Sequence, residues 1–344
     1  MTDATSPQET STIPSIPEWK TMVARFQKSS PARSIWQIVN SVIPYAALWP
    51  IMQWSLSGPY WVTLLLTALA GLLLVRIFII FHDCGHGAFF ESKTANNITG
   101  FIAGMLTFTP YFHWRWEHSL HHATCGDLDR RGTGDIWTMT VAEYLAAPKW
   151  KRFVYRFARN PLVLFVIAPP LLFIAHHRFH SRKAGKREKA SVWWMNLAVV
   201  AMSAALIWWL GWKGWALIQL PVITVAGITG VWMFYVQHQF ENSYWEKHVE
   251  WDYTHAALVG SSYYKLPKIL QWFTGNIGFH HIHHLSPRIP NYYLEACHRS
   301  SEVFRRVPHI NIRSSLRSLS LRLWDEASHQ MVGFDFLKKM PLSA

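Results

Sequence analysis

Residues 59–86 read PYWVTLLLTALAGLLLVRIFIIFHDCGH. The run from Pro59 to Phe81 carries one charged side chain, Arg76. A helix crossing a bilayer needs roughly 20 mostly apolar residues, so this run predicts a span. It ends on His82 and His86, and a spacing of four puts both rings on one face of a helix that continues out of the membrane. Gly85 and Gly87 leave room there for a second helix to come close.

Three further stretches are long and apolar enough to cross: about 35–55, 192–210 and 214–236. Together the four predict two hairpins, with short turns at Ser55 to Pro59 and Gly211 to Gly214 that contain a single basic residue, Lys213. Eleven Lys or Arg lie between 149 and 189. The positive-inside rule then puts the N-terminus, the 82–190 segment and the C-terminus in the cytoplasm. A fifth stretch, Pro161 to His177, contains Pro169-Pro170 and has basic residues at both ends. Were it to cross, histidines after it would lie on the opposite side from those before it, so it reads as re-entrant or interfacial, as does the shorter 98–108. The expected fold is an all-α integral membrane protein: four transmembrane helices in two hairpins, and a cytoplasmic helical cap.

Composition agrees. Of 344 residues 50% are hydrophobic and 15% charged, against about 25% charged in soluble domains. The 20 tryptophans suit a headgroup belt. A net charge of +13 would suit nucleic acid, but the basic residues adjoin apolar spans, so anionic lipid is the expected partner and nucleic acid is not. Cys84, Cys125 and Cys297 form no framework and are expected to be free thiols. Residues 1–30 read as a disordered cytoplasmic tail, rich in Ser, Thr and Pro over the first 18 and without the apolar core of a signal peptide. Residues 31–295 form the membrane domain, and 296–344, with scattered arginines, a cytoplasmic helical segment.

Two more histidine clusters follow the first. His118, His121 and His122 stand at i, i+3 and i+4, and His280, His283 and His284 repeat that spacing. Each set falls on one helical face. With His82 and His86 they make eight imidazoles, enough to hold two metal ions with positions left open. His238, just past the last apolar stretch, is a ninth candidate. Asp83, Glu117 and Glu241 are the carboxylates placed to orient these rings. His113 is a further candidate for such support, and His281 points along another face. His176, His177 and His180 read as headgroup contacts beside Arg178 and Arg182, while His248, His255, His298, His309 and His329 carry no spacing signal. Zinc usually takes three or four ligands and cannot activate O2. Iron bound by nitrogen can.

These blocks resemble the integral-membrane fatty acid desaturases, whose boxes read H-x3-H, H-x2-H-H and H-x2-H-H. The likeness runs from about Phe81 to Tyr293. It is carried by Phe-His82-Asp-Cys-Gly-His86-Gly, by Thr-Pro-Tyr-Phe-His-Trp-Arg-Trp-Glu-His118, by Gly-Asn-Ile-Gly-Phe-His280 and by His283-His284-Leu-Ser-Pro-Arg-Ile-Pro-Asn-Tyr. It is similar to the acyl-lipid branch, Δ12 (omega-6) enzymes and their bacterial relatives. The acyl-CoA branch usually has H-x4-H in the first box, and an asparagine where this chain has Phe234.

The resemblance implies a non-haem di-iron centre with O2 as co-substrate, an acyl chain of a membrane lipid as substrate, and a cis double bond as product. Electrons would come from ferredoxin or a cytochrome b5-type donor. The chain has no His-Pro-Gly-Gly haem motif, so a separate donor is expected on the basic cytoplasmic face. Δ12 leads by pattern, with Δ5, Δ9 and omega-3 behind it; head-group preference and oligomeric state stay open. The alternative is the same scaffold run as a hydroxylase or carotenoid-modifying oxygenase. A metal transporter would carry histidines inside its spans, and these four contain none.

Overall fold

Proline at the first helical position has the backbone angle a helix needs and no N–H to waste, and the first long helix begins at Pro31. The computed structural model describes residues 16–340. A short helix α1 (Ile16–Ala24) precedes α2 (Pro31–Ser55), which runs antiparallel to α3 (Tyr60–Gly85). Then follow α4 (Lys93–Leu106), α5 (Tyr111–Thr124), α6 (Val141–Ala146), α7 (Lys149–Ala158), α8 (Ala168–Ile174) and the 53-residue α9 (Lys186–His238). The chain ends with α10 (Tyr253–Leu258), α11 (Lys268–Phe273), α12 (His280–Leu285), α13 (Asn291–Arg299) and smaller turns.

A straight helix of 53 residues would be about 80 Å long, far beyond the ~30 Å of a hydrocarbon core. Helix α9 is broken at Gly211, where φ is 71° and ψ 156°, angles that glycine adopts far more readily than other residues. Both arms return to α3: Met195 of the first and Val222 of the second share its core with Phe81 and Leu73. The two turns lie side by side, since Tyr60 donates a hydrogen bond to the Leu217 carbonyl (3.0 Å). Close approach of α3 and the second arm depends on Gly71, where a Cβ would sit 2.7 Å from Val225. Among the described residues three helices are long and apolar enough to cross a membrane, α2, α3 and α9; a further crossing would need α7 and the stretch 163–178, bent by 57°, to act as one span.

The one charge in the apolar run of α3, Arg76, is satisfied. Arg76 donates to Ser41 Oγ (3.1 Å) and to the Trp272 carbonyl, and its guanidinium lies 4.0 Å from the Trp272 ring centroid. That contact docks α11 against the bundle, because a buried charge must find partners.

Three expectations need correction. The cap is mostly helical, yet among the described residues it contains five short strands: β1 (Met139–Thr140), β2 (Tyr263–Lys265), β3 (His309–Asn311), β4 (Leu323–Asp325) and β5 (Gln330–Val332), in sheets ordered β1-β4-β5 and β2-β3. They were invisible as a pattern because pieces of two or three residues have no readable alternation. The segment from 296 onward is therefore no purely helical tail; β3 and β4 pair with strands far earlier in the chain. Nor is the first 30-residue stretch a tail throughout. Residues 1–15 lie outside the described residues, but α1 buries Trp19 and Val23 in the core beside Leu294 and Ile289, and Ser30 accepts a place in the fold by donating its N–H to Tyr292 (2.8 Å).

Candidate metal centre

Helix α3 ends on the first box, so His82 leaves the apolar layer on the last turn and His86 caps the helix. Helix α5 presents His118, His121 and His122, α9 ends on His238, and α12 carries His280, His283 and His284. Four elements separated by up to two hundred residues thus meet at one place.

The donors sort into two groups. Ligand atoms of His82, His86, His118, His122 and His283 all lie within 4.8 Å of one another, and so do those of His121, Cys125, His238 and His284. His280 joins the second set, its Nε2 being 2.9 Å from His238 Nε2. The groups touch: His122 Nε2 is 2.9 Å from His283 Nε2, and the His122 and His284 rings stack at 4.2 Å. All nine sequence candidates are here. Cys125 is added, capping the end of α5 four residues after His121, with Sγ 3.4 Å from His238 Nδ1. Its spacing, seven after His118, was readable in the sequence.

Burial first, and then the neighbouring imidazoles, push His86, His118, His122, His280, His283 and His284 well below the ordinary histidine range. His238 is lowered in the same direction, by burial and then by His121. These rings are neutral at physiological pH, the form that offers a lone pair to a metal. The buried Nε2 atoms of His86, His121 and His284 have no hydrogen-bond partner in the protein. Orphaned acceptors of this kind are rare unless something else occupies them. A shell of imidazoles and one thiol with such atoms fits a first-row transition metal, iron and zinc included.

Carboxylates stand behind two of the rings. His82 Nδ1 lies 3.1 Å from Asp83 Oδ1, while Asp83 Oδ2 accepts from the Asn291 backbone N–H (2.7 Å) and its Nδ2 (2.8 Å). His121 Nδ1 lies 2.6 Å from Asp135 Oδ1, and Gly132 N–H donates to the other oxygen (3.1 Å). Such contacts fix the tautomer and aim Nε2 at the metal position. Asp135 was missed from sequence: it sits in a glycine-flanked loop, where no periodicity reports its partner. Two expected carboxylates are elsewhere. Glu241 faces Arg317 at 3.8 Å on the exposed side of the cap, because the helix ends at His238 and the chain turns away. Glu117 pairs with His113 at 3.4 Å, and His113 accepts from the Ser181 N–H (3.0 Å), so neither touches a box histidine. His281 turns from the groups to His298, 3.1 Å away. His177, expected at the surface, is buried.

A cavity of about 400 Å³ runs along these groups. Its walls include Leu74 and Phe78 of α3, Gly230 and Phe234 of α9, and the rings of His82, His118 and His280. Phe234 packs 5.0 Å from His121 and 5.1 Å from His238. The arrangement brings a mostly apolar cavity against two nests of histidine donors.

The fatty acid desaturase family model matches residues 59–311. A fatty acid desaturase of Bacillus subtilis is 48% identical over 321 residues, covering 93% of this chain and 91% of its own. Two Synechocystis proteins are more distant. An sn-1 acyl-lipid omega-3 desaturase (ferredoxin) is 27% identical across 69% of this chain and 66% of its own. An sn-1 oleoyl-lipid 12-desaturase is 26% identical across 67% and 65%. With the histidine groups, the cavity and a matched region of this extent, the chain belongs to the fatty acid desaturase family.

Proposed function

We propose that this desaturase inserts a cis double bond into acyl chains of membrane lipids, with O2 as co-substrate, two iron ions as cofactor and an external electron donor. One observation carries the reading: two adjoining groups of imidazoles form part of the wall of a mostly apolar cavity. Iron held there would supply the O2 chemistry needed to take hydrogen from an unactivated methylene. His82, His86, His118, His122 and His283 would hold one ion, and His121, His238, His280 and His284 the other. Asp83 and Asp135 hold ring orientation. Leu74, Phe78 and Phe234 hold the acyl chain and keep water out.

The relatives named for acyl-lipid substrates favour a lipid over a thioester, and the 12-desaturase among them favours Δ12 (omega-6-like) selectivity. A relative named for ferredoxin supports a ferredoxin donor, with a cytochrome b5-type protein as the other choice. We read α2, α3 and the two arms of α9 as four spans with both termini and the histidine groups cytoplasmic. The stretch 161–177 is re-entrant or interfacial and does not cross, because its flanks are tied to one layer. On one side Arg159 donates to Gln239 (2.9 Å), next to His238; on the other the Ser181 N–H donates to His113 on α5. Residues 31–295 form the membrane desaturase domain, with the C-terminal segment woven into its cap.

Lipid analysis tests this. The protein is expressed with a ferredoxin donor in a host of known acyl profile, against His121→Ala. A new double bond in lipid-bound chains only with the intact protein is the expected result, and gas chromatography–mass spectrometry places it. An unchanged profile with iron bound and donor active would refute the acyl-lipid assignment.

A further inference from the structure

Helix α7 reads KWKRFVYRFA from Lys149 to Ala158. One face is anchored to the cap. Tyr155 is fully buried there, accepts from the Met139 N–H (3.1 Å) and donates to the Arg322 carbonyl. The opposite face is open. Trp150, Phe153, Val154 and Phe157 stand at i, i+3, i+4 and i+7, one stripe of the helix, and are 68%, 71%, 43% and 59% exposed. A row of large apolar side chains left in the open marks a surface that something covers.

Charge says what covers it. From Tyr144 to Arg187 the chain has ten Lys or Arg and no Asp or Glu. Lys149 and Lys151, both exposed, sit at the two edges of the stripe. Arg156 is held inward instead, its Nε donating to the Tyr144 hydroxyl (2.6 Å) and its guanidinium 4.4 Å from the Phe334 ring centroid. A second copy of this face would bring like charges together. An acidic protein would meet four large apolar side chains at the centre of the contact.

An anionic lipid leaflet suits both features. Apolar side chains enter at the boundary between head groups and acyl chains, and the ammonium groups stay level with the phosphates. Exposed apolar residues also continue beyond the helix: past a 57° bend, Leu162, Val166, Ile167 and Leu171 are open in the stretch 161–177.

We propose that α7 is an interfacial helix that seats the cap on anionic phospholipid, its four apolar side chains buried at head-group depth and Lys149 and Lys151 paired with lipid phosphate. This rests on the reading of 161–177 as a stretch that does not cross. Anionic phosphatidylglycerol is favoured over zwitterionic phosphatidylcholine, because only the former leaves a net charge for the excess cations to meet.

The test uses the full-length, iron-loaded protein in lipid nanodiscs, with a fluorophore on Val154→Cys; the three native cysteines are buried. Nitroxide quenchers are carried by phosphatidylglycerol or phosphatidylcholine, either near the ester or near the methyl end of an acyl chain. The shallow nitroxide is expected to quench more than the deep one, and the glycerol lipid to quench at least about twofold more than the choline lipid. In the same labelled protein carrying Lys149→Glu and Lys151→Glu, the lipid preference should vanish with iron content unchanged. Equal quenching by the two lipids, or a preference that survives the charge reversal, would overturn the proposal. So would a label that no lipid quenches and that an acidic electron donor shields from iodide. Strongest quenching by the deep nitroxide would put α7 inside the hydrocarbon and overturn the non-crossing reading together with it.

Discussion

His121 Nδ1 and Asp135 Oδ1 stand 2.6 Å apart, joining the middle histidine of α5 to a loop fourteen residues on. Gly134, with φ at 74°, lets that loop fold down; a Cβ there would lie 3.1 Å from the Glu117 carbonyl and from His121 Cβ. The carboxylate holds the proton on Nδ1 and leaves Nε2 bare toward His238 and His284.

Replacing Asp135 with Asn keeps the size and removes the charge. Iron affinity should fall about 10- to 100-fold, the usual cost of losing such a support. Metal content after dialysis against a graded chelator measures it; retention equal to wild type would show that Asp135 does not orient the ring.

Box membership separates neighbours in sequence. His283→Ala should lose bound iron and all turnover, whereas His281→Gln should keep iron, since His281 faces His298 instead. Iron analysis of both variants decides it, and iron loss in His281→Gln would redraw the group.

Gly230 lines the cavity, and a Cβ built on it meets nothing within 4 Å. Gly230→Leu should therefore fold, and even gain helix propensity, while its side chain obstructs the passage. At least a tenfold loss of turnover with iron unchanged is expected; full activity would mean that the acyl chain takes another route.

Asp127 is enclosed, yet its carboxyl is held below the ordinary range: burial opposes this, and the bonds from Arg130 (2.5 Å) and His248 (2.8 Å) outweigh it. A depressed carboxyl stabilises the fold above its unfolded pKa of about 3.9, and that contribution fades as pH falls through the folded value. Asp127→Asn should melt lower than wild type at pH 7, with the gap closing below about pH 4. Thermal melts in detergent across that range check the sign.

Topology is open to labelling because the three native cysteines are buried. Single cysteines at the exposed positions Glu91, Lys151 and Arg288 should react from the cytoplasmic face, and those at Ser57 and Lys213 from the other. Labelling of Lys151 and Arg288 from opposite faces would disprove a common site.

The sequence by itself determined the long apolar helices, the turn at Gly211 and the nine histidines, because helical spacing is local: residues three and four apart share a face wherever the helix ends up. It also carried Cys125, at the same spacing. What only the tertiary structure decided are the long-range choices. Asp135 rather than Glu241 supports a ring, His177 faces the cavity instead of the headgroups, α1 packs into the core, and strands from the C-terminal segment close the cap. Each depends on where a loop lands after dozens of intervening residues, and no periodic pattern in a short irregular segment records its distant partner.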